Sequence, residues 1–194
     1  MDSKEEEKLF LAAGEGDVEN VRALINGGVD LAAPRSIMAL TIAASKGHLD
    51  VVSALLKGGA NPDAIGPYGF PVLLISVING RTNIINRLLE AEANPNAAGP
   101  NGRTALMFAA LENQLEVIKV LLTAKANADA VDNVGITALM AAATQGHTDV
   151  VKALLAADAD WKVVNKNGDT ALMVAAAKGH QEVVALLKSA GATT

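Results

Sequence analysis

Residues 132–155 read Asp132-Asn133-Val134-Gly135-Ile136-Thr137-Ala138-Leu139-Met140-Ala141-Ala142-Ala143-Thr144-Gln145-Gly146-His147-Thr148-Asp149-Val150-Val151-Lys152-Ala153-Leu154-Leu155, and the rest of the chain can be laid over them. A shift of 33 residues returns the pattern: Leu139 falls on Leu106, Leu73 and Leu40 behind it, and on Leu172 ahead. Gly146 falls on Gly80, Gly47 and Gly179, with Asn113 as the one substitute. The Leu154-Leu155 pair falls on Leu121-Leu122, Leu88-Leu89 and Leu55-Leu56. A fixed period of this length marks an array of stacked supersecondary units.

One unit carries its own physical explanation. Residues 137–145 and 148–157 each read as a short helix, with Gly146-His147 as the turn between them. Val150 with Leu154, and Val151 with Leu155, are i,i+4 pairs that lay one apolar face along the second helix. Asp149 falls in that helix's first turn, where a negative charge complements the dipole. Helices of about ten residues are marginal alone in water. Each pair therefore needs neighbours to cover its faces, and repetition supplies them. Residues 132–136, with Gly135, read as a turn projecting between one helix pair and the next.

These residues resemble the ankyrin repeat family. The opening Gly168-Asp169-Thr170-Ala171-Leu172-Met173, the middle Ala176-Ala177-Lys178-Gly179-His180 and the close Leu55-Leu56-Lys57-Gly58-Gly59-Ala60-Asn61 carry the likeness, which extends over essentially the whole chain. One departure recurs: Thr-Ala-Leu-Met stands at 104–107, 137–140 and 170–173 where the family has Thr-Pro-Leu-His. The resemblance implies an all-α solenoid of stacked helix-turn-helix units with finger loops. It also implies a single domain over 1–194, in units of about 1–33, 34–65, 66–98, 99–131, 132–164 and 165–194.

The end units are expected to act as caps. Asp2 or Ser3 can cap a first helix that carries Glu5, Glu6 and Glu7 in its opening turn. Leu9, Phe10 and Leu11 are expected to face the next unit. Asn20 stands where inner units carry Val51, Ile84, Val117 and Val150, as suits a side that meets water. At the other end Lys188 replaces the second leucine of the pair, so the array is expected to be complete as it stands. The second unit is two residues short before its first helix, at Pro34-Arg35-Ser36, which predicts a truncated or distorted finger. Glu92, Lys125 and Asp158 occupy the helix-exit position held elsewhere by Gly28, Gly59 and Gly191. That position is expected to be left-handed.

Composition narrows the function classes. The chain is 51% hydrophobic but only 3% aromatic, so its core is built of Ala, Val, Leu and Ile, which let short helices approach closely. It has no cysteine, which rules out disulfides and cysteine metal sites. Apolar runs fall well short of the ~18 residues of a membrane helix, and the acidic N-terminus lacks a signal peptide's apolar segment. The net charge of −5 resides in residues 1–33, and no basic stripe offers itself to nucleic acid. A cytoplasmic monomer without membrane insertion is expected.

Residues suited to catalysis are sparse. His48, His147 and His180 recur at one repeat position, on units about 10 Å apart. Metal–nitrogen bonds are about 2 Å long, so the three cannot share an ion. They read as rings that tie each turn to its neighbour by hydrogen bonds. Phosphate-loop and nucleophile-elbow spacings do not occur. Asp158 and Asp160 read as a solvated pair, Met107, Met140 and Met173 as core filler, and Trp161 as a loop residue packing on the last unit. No enzyme, metal or cofactor is expected.

In the resemblance, function lies on the face made by finger tips and first-helix ends, which binds other proteins. Carried onto this chain, the candidate partner-binding residues are Tyr68, Phe70, Ile78, Arg103, Leu111, Glu112, Val134, Ile136 and Gln145. The apolar members fall on three consecutive units, where such sites are normally polar. A contiguous exposed apolar patch usually marks an interaction surface. Tyr68, Phe70, Ile78 and Leu111 are expected to form its centre, rimmed by Arg103 and Glu112, without belonging to the faces that hold units together. A non-catalytic scaffold, inhibitor or adaptor that binds another protein is expected. The alternative is a chaperone-like holder of an apolar client segment.

Overall fold

The computed structural model describes residues 3–193, so the expected Asp2 cap lies outside the described residues. Among them are twelve α-helices and no strand, in two compact units, Met1–Ala97 and Ala98–Thr194. The first unit holds α1 (Ser3–Glu15), α2 (Val18–Asn26), α3 (Pro34–Lys46), α4 (Leu49–Lys57), α5 (Val72–Ile78) and α6 (Thr82–Glu90). The second holds α7 (Ala105–Leu111), α8 (Leu115–Thr123), α9 (Ala138–Gln145), α10 (Thr148–Ala156), α11 (Ala171–Lys178) and α12 (Gln181–Ser189).

Each unit is built in two layers. In the first, α1 packs on α3 and α3 on α5, while α2 packs on α4 and α4 on α6. In the second, α7, α9 and α11 stack in one layer and α8, α10 and α12 in the other. The recurring leucines form the seam: Leu40, Leu73, Leu106, Leu139 and Leu172 are buried, as are Leu55, Leu88, Leu121, Leu154 and Leu187. Each fully buried leucine contributes about 1.5–3 kcal/mol relative to exposure. Val150 and Val151 are also buried, but Leu155 is only half-buried. The second leucine is thus a rim position, and the exposed Lys188 is a smaller change there than a core charge would be.

The threonine of each Thr-Ala-Leu-Met stretch has a local role. The hydroxyls of Thr104, Thr137 and Thr170 accept from the backbone N–H of Met107, Met140 and Met173 at 3.4, 3.1 and 3.3 Å, capping α7, α9 and α11. The middle turn is closed by left-handed residues, Gly47, Gly146 and Gly179, with Asn113 (φ +55°) in the same role. The histidines behave as the sequence predicts. The Nε2 of His147 lies 3.0 Å from the Leu111 carbonyl, that of His180 3.0 Å from the Thr144 carbonyl, and that of His48 3.3 Å from the Gly14 carbonyl. A carbonyl only accepts, so Nε2 carries the proton. Arg81 fills the same role, donating from Nε to the Ser45 carbonyl at 3.1 Å.

At the helix exits, Glu92, Lys125 and Asp158 have φ of +65°, +67° and +60°, the left-handed conformation that Gly28, Gly59 and Gly191 adopt in the other copies. Asp158 and Asp160 are exposed, and Asp160 is engaged in its own loop, accepting from the Lys162 N–H at 2.8 Å. Trp161 is half-buried, with Cζ2 3.5 Å from where a Cβ on Gly191 would stand. The loop packs on the last helix pair, as expected.

Four expectations are narrowed or corrected. Before α3 the finger is truncated rather than distorted: Pro34 stands at the first helical position and the helix runs 13 residues. A proline there is pre-organised for helix and gives up an N–H that would be unsatisfied anyway. Leu11 does not face the next helix pair, being 52% exposed, whereas Leu9 is fully buried and Phe10 half-buried. Met107 and Met140 are core at 4% and 1% exposure, but Met173 is 41% exposed. No described helix follows α11 in its layer to cover it. Finally, Phe70 and Leu111 are half-buried, so they also contribute packing within their own units.

Candidate functional site

Four fingers share one hydrogen-bonding frame. In each, the first residue's N–H donates to the carbonyl four residues on: Gly66 to Phe70, Gly99 to Arg103, Asp132 to Ile136 and Asn165 to Asp169. A glycine at the fourth position (Gly69, Gly102, Gly135, Gly168) takes positive φ and turns the chain back. Two fingers are braced by a side chain. Asp132 Oδ1 accepts from the N–H of Val134 and Ile136, each at 2.9 Å, and Asn165 Oδ1 accepts from Asn167 and Asp169 at 2.8 and 3.0 Å. The other two open on glycine and use Pro67 or Pro100 to fix φ instead.

The finger at 66–70 differs from the rest at Tyr68. This residue is 90% exposed and held at φ +65°, a conformation that costs a non-glycine residue about 1–2 kcal/mol. Beside it lies a groove of about 340 Å³ along α1, α3 and α5. Phe10, Met38, Ile42 and Ile75 form its floor, with Phe70 and Ile78 at the finger side. Thr41, Ser45 and Asn79 are its polar members, and no charged residue lines it. Ile78 is 47% exposed at the end of α5. Tyr68, Phe70 and Ile78 are thus brought together, without Leu111, Arg103 or Glu112 in the lining.

The second unit has a smaller groove, about 180 Å³, on α7, α9 and the finger at 132–136. Met107, Phe108, Leu111 and Ile136 give it apolar walls, and Thr144 closes one end. Arg103 and Asp132 stand at its edge. The Arg103 Nε is 3.3 Å from Asp132 Oδ2, and its guanidinium carbon lies 6.0 Å from the centre of the Phe108 ring. Asp132 is buried (side chain 3% accessible) while Arg103 remains 44% accessible. The pair therefore turns its cationic end outward.

Leu111, Ile136 and Arg103 meet in this second groove, while Tyr68, Phe70 and Ile78 meet in the first. Glu112 and Gln145 are exposed at the ends of α7 and α9 and line neither groove; Val134 is 53% exposed at its finger tip, also outside both. Sequence reasoning missed the floor residues. Ile42, Ile75 and Phe108 occupy one repeat position, just before the paired small residues of each first helix. Its signal was available: a large apolar residue recurs there at the 33-residue period, while its counterparts are Ala141 and Val174.

Among the described residues, no group of three or more His, Asp or Glu is placed to hold a metal ion, and no helix is long and apolar enough to cross a membrane. A family model described as Ankyrin repeats (3 copies) matches the chain three times in overlapping spans, at residues 9–98, 40–132 and 106–194.

Proposed function

The chain belongs to the ankyrin repeat family, whose members are generally protein–protein interaction modules, and from that premise we propose that it binds a partner protein through the finger and first-helix side of its units, each of which carries an apolar groove. The observation that carries this reading is Tyr68. A large aromatic held at positive φ and 90% exposed adds nothing to the core and costs backbone strain. Strain of this kind is retained where the side chain serves a surface role, and exposed aromatics are the usual anchors of binding energy. Ile78, 47% exposed, extends the same surface.

The module acts by rigid-surface recognition, as a scaffold, inhibitor or adaptor in the cytoplasm, with no catalytic step of its own. The uncharged walls of the first groove favour a second reading as well, a chaperone-like grip on an apolar client segment. Competition distinguishes the two: an extended apolar peptide displaces a client, whereas a single folded partner resists it.

The test is affinity capture with the wild-type chain, Tyr68→Ser/Ile78→Ser and Lys57→Ser/Lys119→Ser as a control on the second-helix layer. All of these side chains are exposed, so each change costs about 0.5 kcal/mol or less in stability. The partner should be lost with the first pair and kept with the second. Equal retention by both would place binding elsewhere. Adding Phe70→Ser and Leu111→Ser should weaken capture further, at a larger cost in melting temperature because both are half-buried.

A further inference from the structure

The second groove carries a more specific assignment, which rests on the protein-binding reading above. We propose that the groove beside Phe108 and Leu111 is a motif site that receives one apolar side chain of a partner segment, while Arg103 binds an Asp or Glu carboxylate next to it. Volume argues for a single side chain. At about 180 Å³ the groove lies below the ~300–1,000 Å³ of small-molecule pockets. Its walls, Met107, Phe108, Leu111 and Ile136, offer no charge to that side chain, and Thr144 offers a hydroxyl only at one end. Its one donor hydrogen is already engaged by the Met140 carbonyl at 2.8 Å, so the hydroxyl can only accept.

Charge argues for the carboxylate. Both oxygens of Asp132 are engaged: Oδ1 takes the Val134 and Ile136 N–H groups of its own finger, and Oδ2 takes Arg103 Nε from the preceding one. An arginine has five N–H donors in a fixed fork, and the contact with Asp132 uses the Nε side alone. The Nη groups are left for a partner, and a carboxylate is the planar acceptor that matches them two at a time. Because Asp132 is buried and Arg103 is not, an incoming segment meets the cation first. The Phe108 ring and the Asp132 carboxylate together hold the guanidinium in place before binding, which reduces the ordering entropy lost on contact. Without Asp132 the same arginine would be a free surface charge, and without the apolar walls it would attract any anion.

The experiment uses the isotopically labelled full chain and three labelled decapeptides. One carries a leucine followed by two aspartates, the second has both aspartates replaced by asparagine, and the third has the leucine replaced by serine. Amide shifts on titration should centre on Phe108, Leu111, Ile136 and Thr144 with the first peptide. Affinity should fall at least tenfold with either of the others. Arg103→Lys, which keeps the charge beside Asp132 but loses the fork, should weaken the first peptide severalfold and leave the asparagine peptide unchanged. Equal binding of the aspartate and asparagine peptides would overturn the carboxylate role. Shifts confined to Tyr68, Phe70 and Ile78 would overturn this site while leaving the protein-binding face in place. No shifts at all would also overturn it, and capture by Tyr68 and Ile78 would then still decide the broader reading.

Discussion

Replacing Lys125 by glycine removes an exposed, charged side chain from the surface and should nevertheless stabilise the protein. Lys125 follows α8 with φ +67°, and its N–H donates to the Leu122 carbonyl at 3.0 Å. Gly59 makes the equivalent bond to Leu56 at 3.1 Å with φ +99°. The hydrogen bonding is therefore the same whichever residue is present, and the difference lies in the backbone. Left-handed geometry costs a non-glycine residue about 1–2 kcal/mol. Glycine costs about 0.5–1 kcal/mol more to order from the unfolded chain. The net gain from Lys125→Gly is about 0–1.5 kcal/mol, or up to about 6 °C in melting temperature for a chain of this size. Glu92→Gly and Asp158→Gly should behave alike. The reverse change is clean at Gly59, because a Cβ there would meet nothing within 4 Å. Gly59→Ala should lower the melting temperature by a similar amount through φ alone. Differential scanning calorimetry reads both. A clear drop for Lys125→Gly, or a rise for Gly59→Ala, would refute the left-handed exit as a source of strain.

Three further outcomes follow from the same geometry. Met140→Ala should cost about 2–5 kcal/mol, whereas Met173→Ala, at the same repeat position but exposed, should cost well under 1 kcal/mol; chemical denaturation of the two variants checks this. His180→Ala leaves the Thr144 carbonyl without its Nε2 partner and should cost about 1 kcal/mol, with faster amide exchange at the turn around Gly146. Asp17 accepts from the Asn20 N–H at 3.0 Å and from the Asn20 side-chain amide at 2.6 Å, and these bonds, the backbone one foremost, hold its carboxyl below the ordinary aspartate value. A depressed folded-state pKa contributes stability that is present above the unfolded value and lost as pH falls through the folded one. The melting-temperature gap between wild type and Asp17→Ala should therefore be widest at neutral pH and narrow as pH drops below about 3.9.

The helices were legible because periodicity is a property of the sequence itself: Leu40, Leu73, Leu106, Leu139 and Leu172 fix the register, and all five are buried. The left-handed exits were legible for a related reason, since glycine in some copies reports the backbone of the others. What could not be read depended on neighbours. Met173 has the same local sequence as Met140, and only the residues packed above it make one core and the other surface. The missing finger before α3 turned on Pro34, which a turn and a helix start both accept. In the site, Tyr68 and Ile78 were visible as apolar residues at finger and helix-end positions. Ile42, Ile75 and Phe108 were not, because an apolar residue inside a helix reads first as core. Only the arrangement of α1, α3 and α5 around the first groove, and of α7 and α9 around the second, turns that position into floor.

The most direct test of the binding face is site-specific photo-crosslinking in lysate of the source cells. A photoreactive residue is placed in turn at Tyr68, Ile78, Leu111, Lys57 and Lys119, and adducts are identified by mass spectrometry. The protein-binding account predicts that one partner is trapped from Tyr68, Ile78 and Leu111 and none from Lys57 or Lys119, which lie on the second-helix layer. Adducts from Lys57 or Lys119 alone, or from none of the five positions, would contradict it.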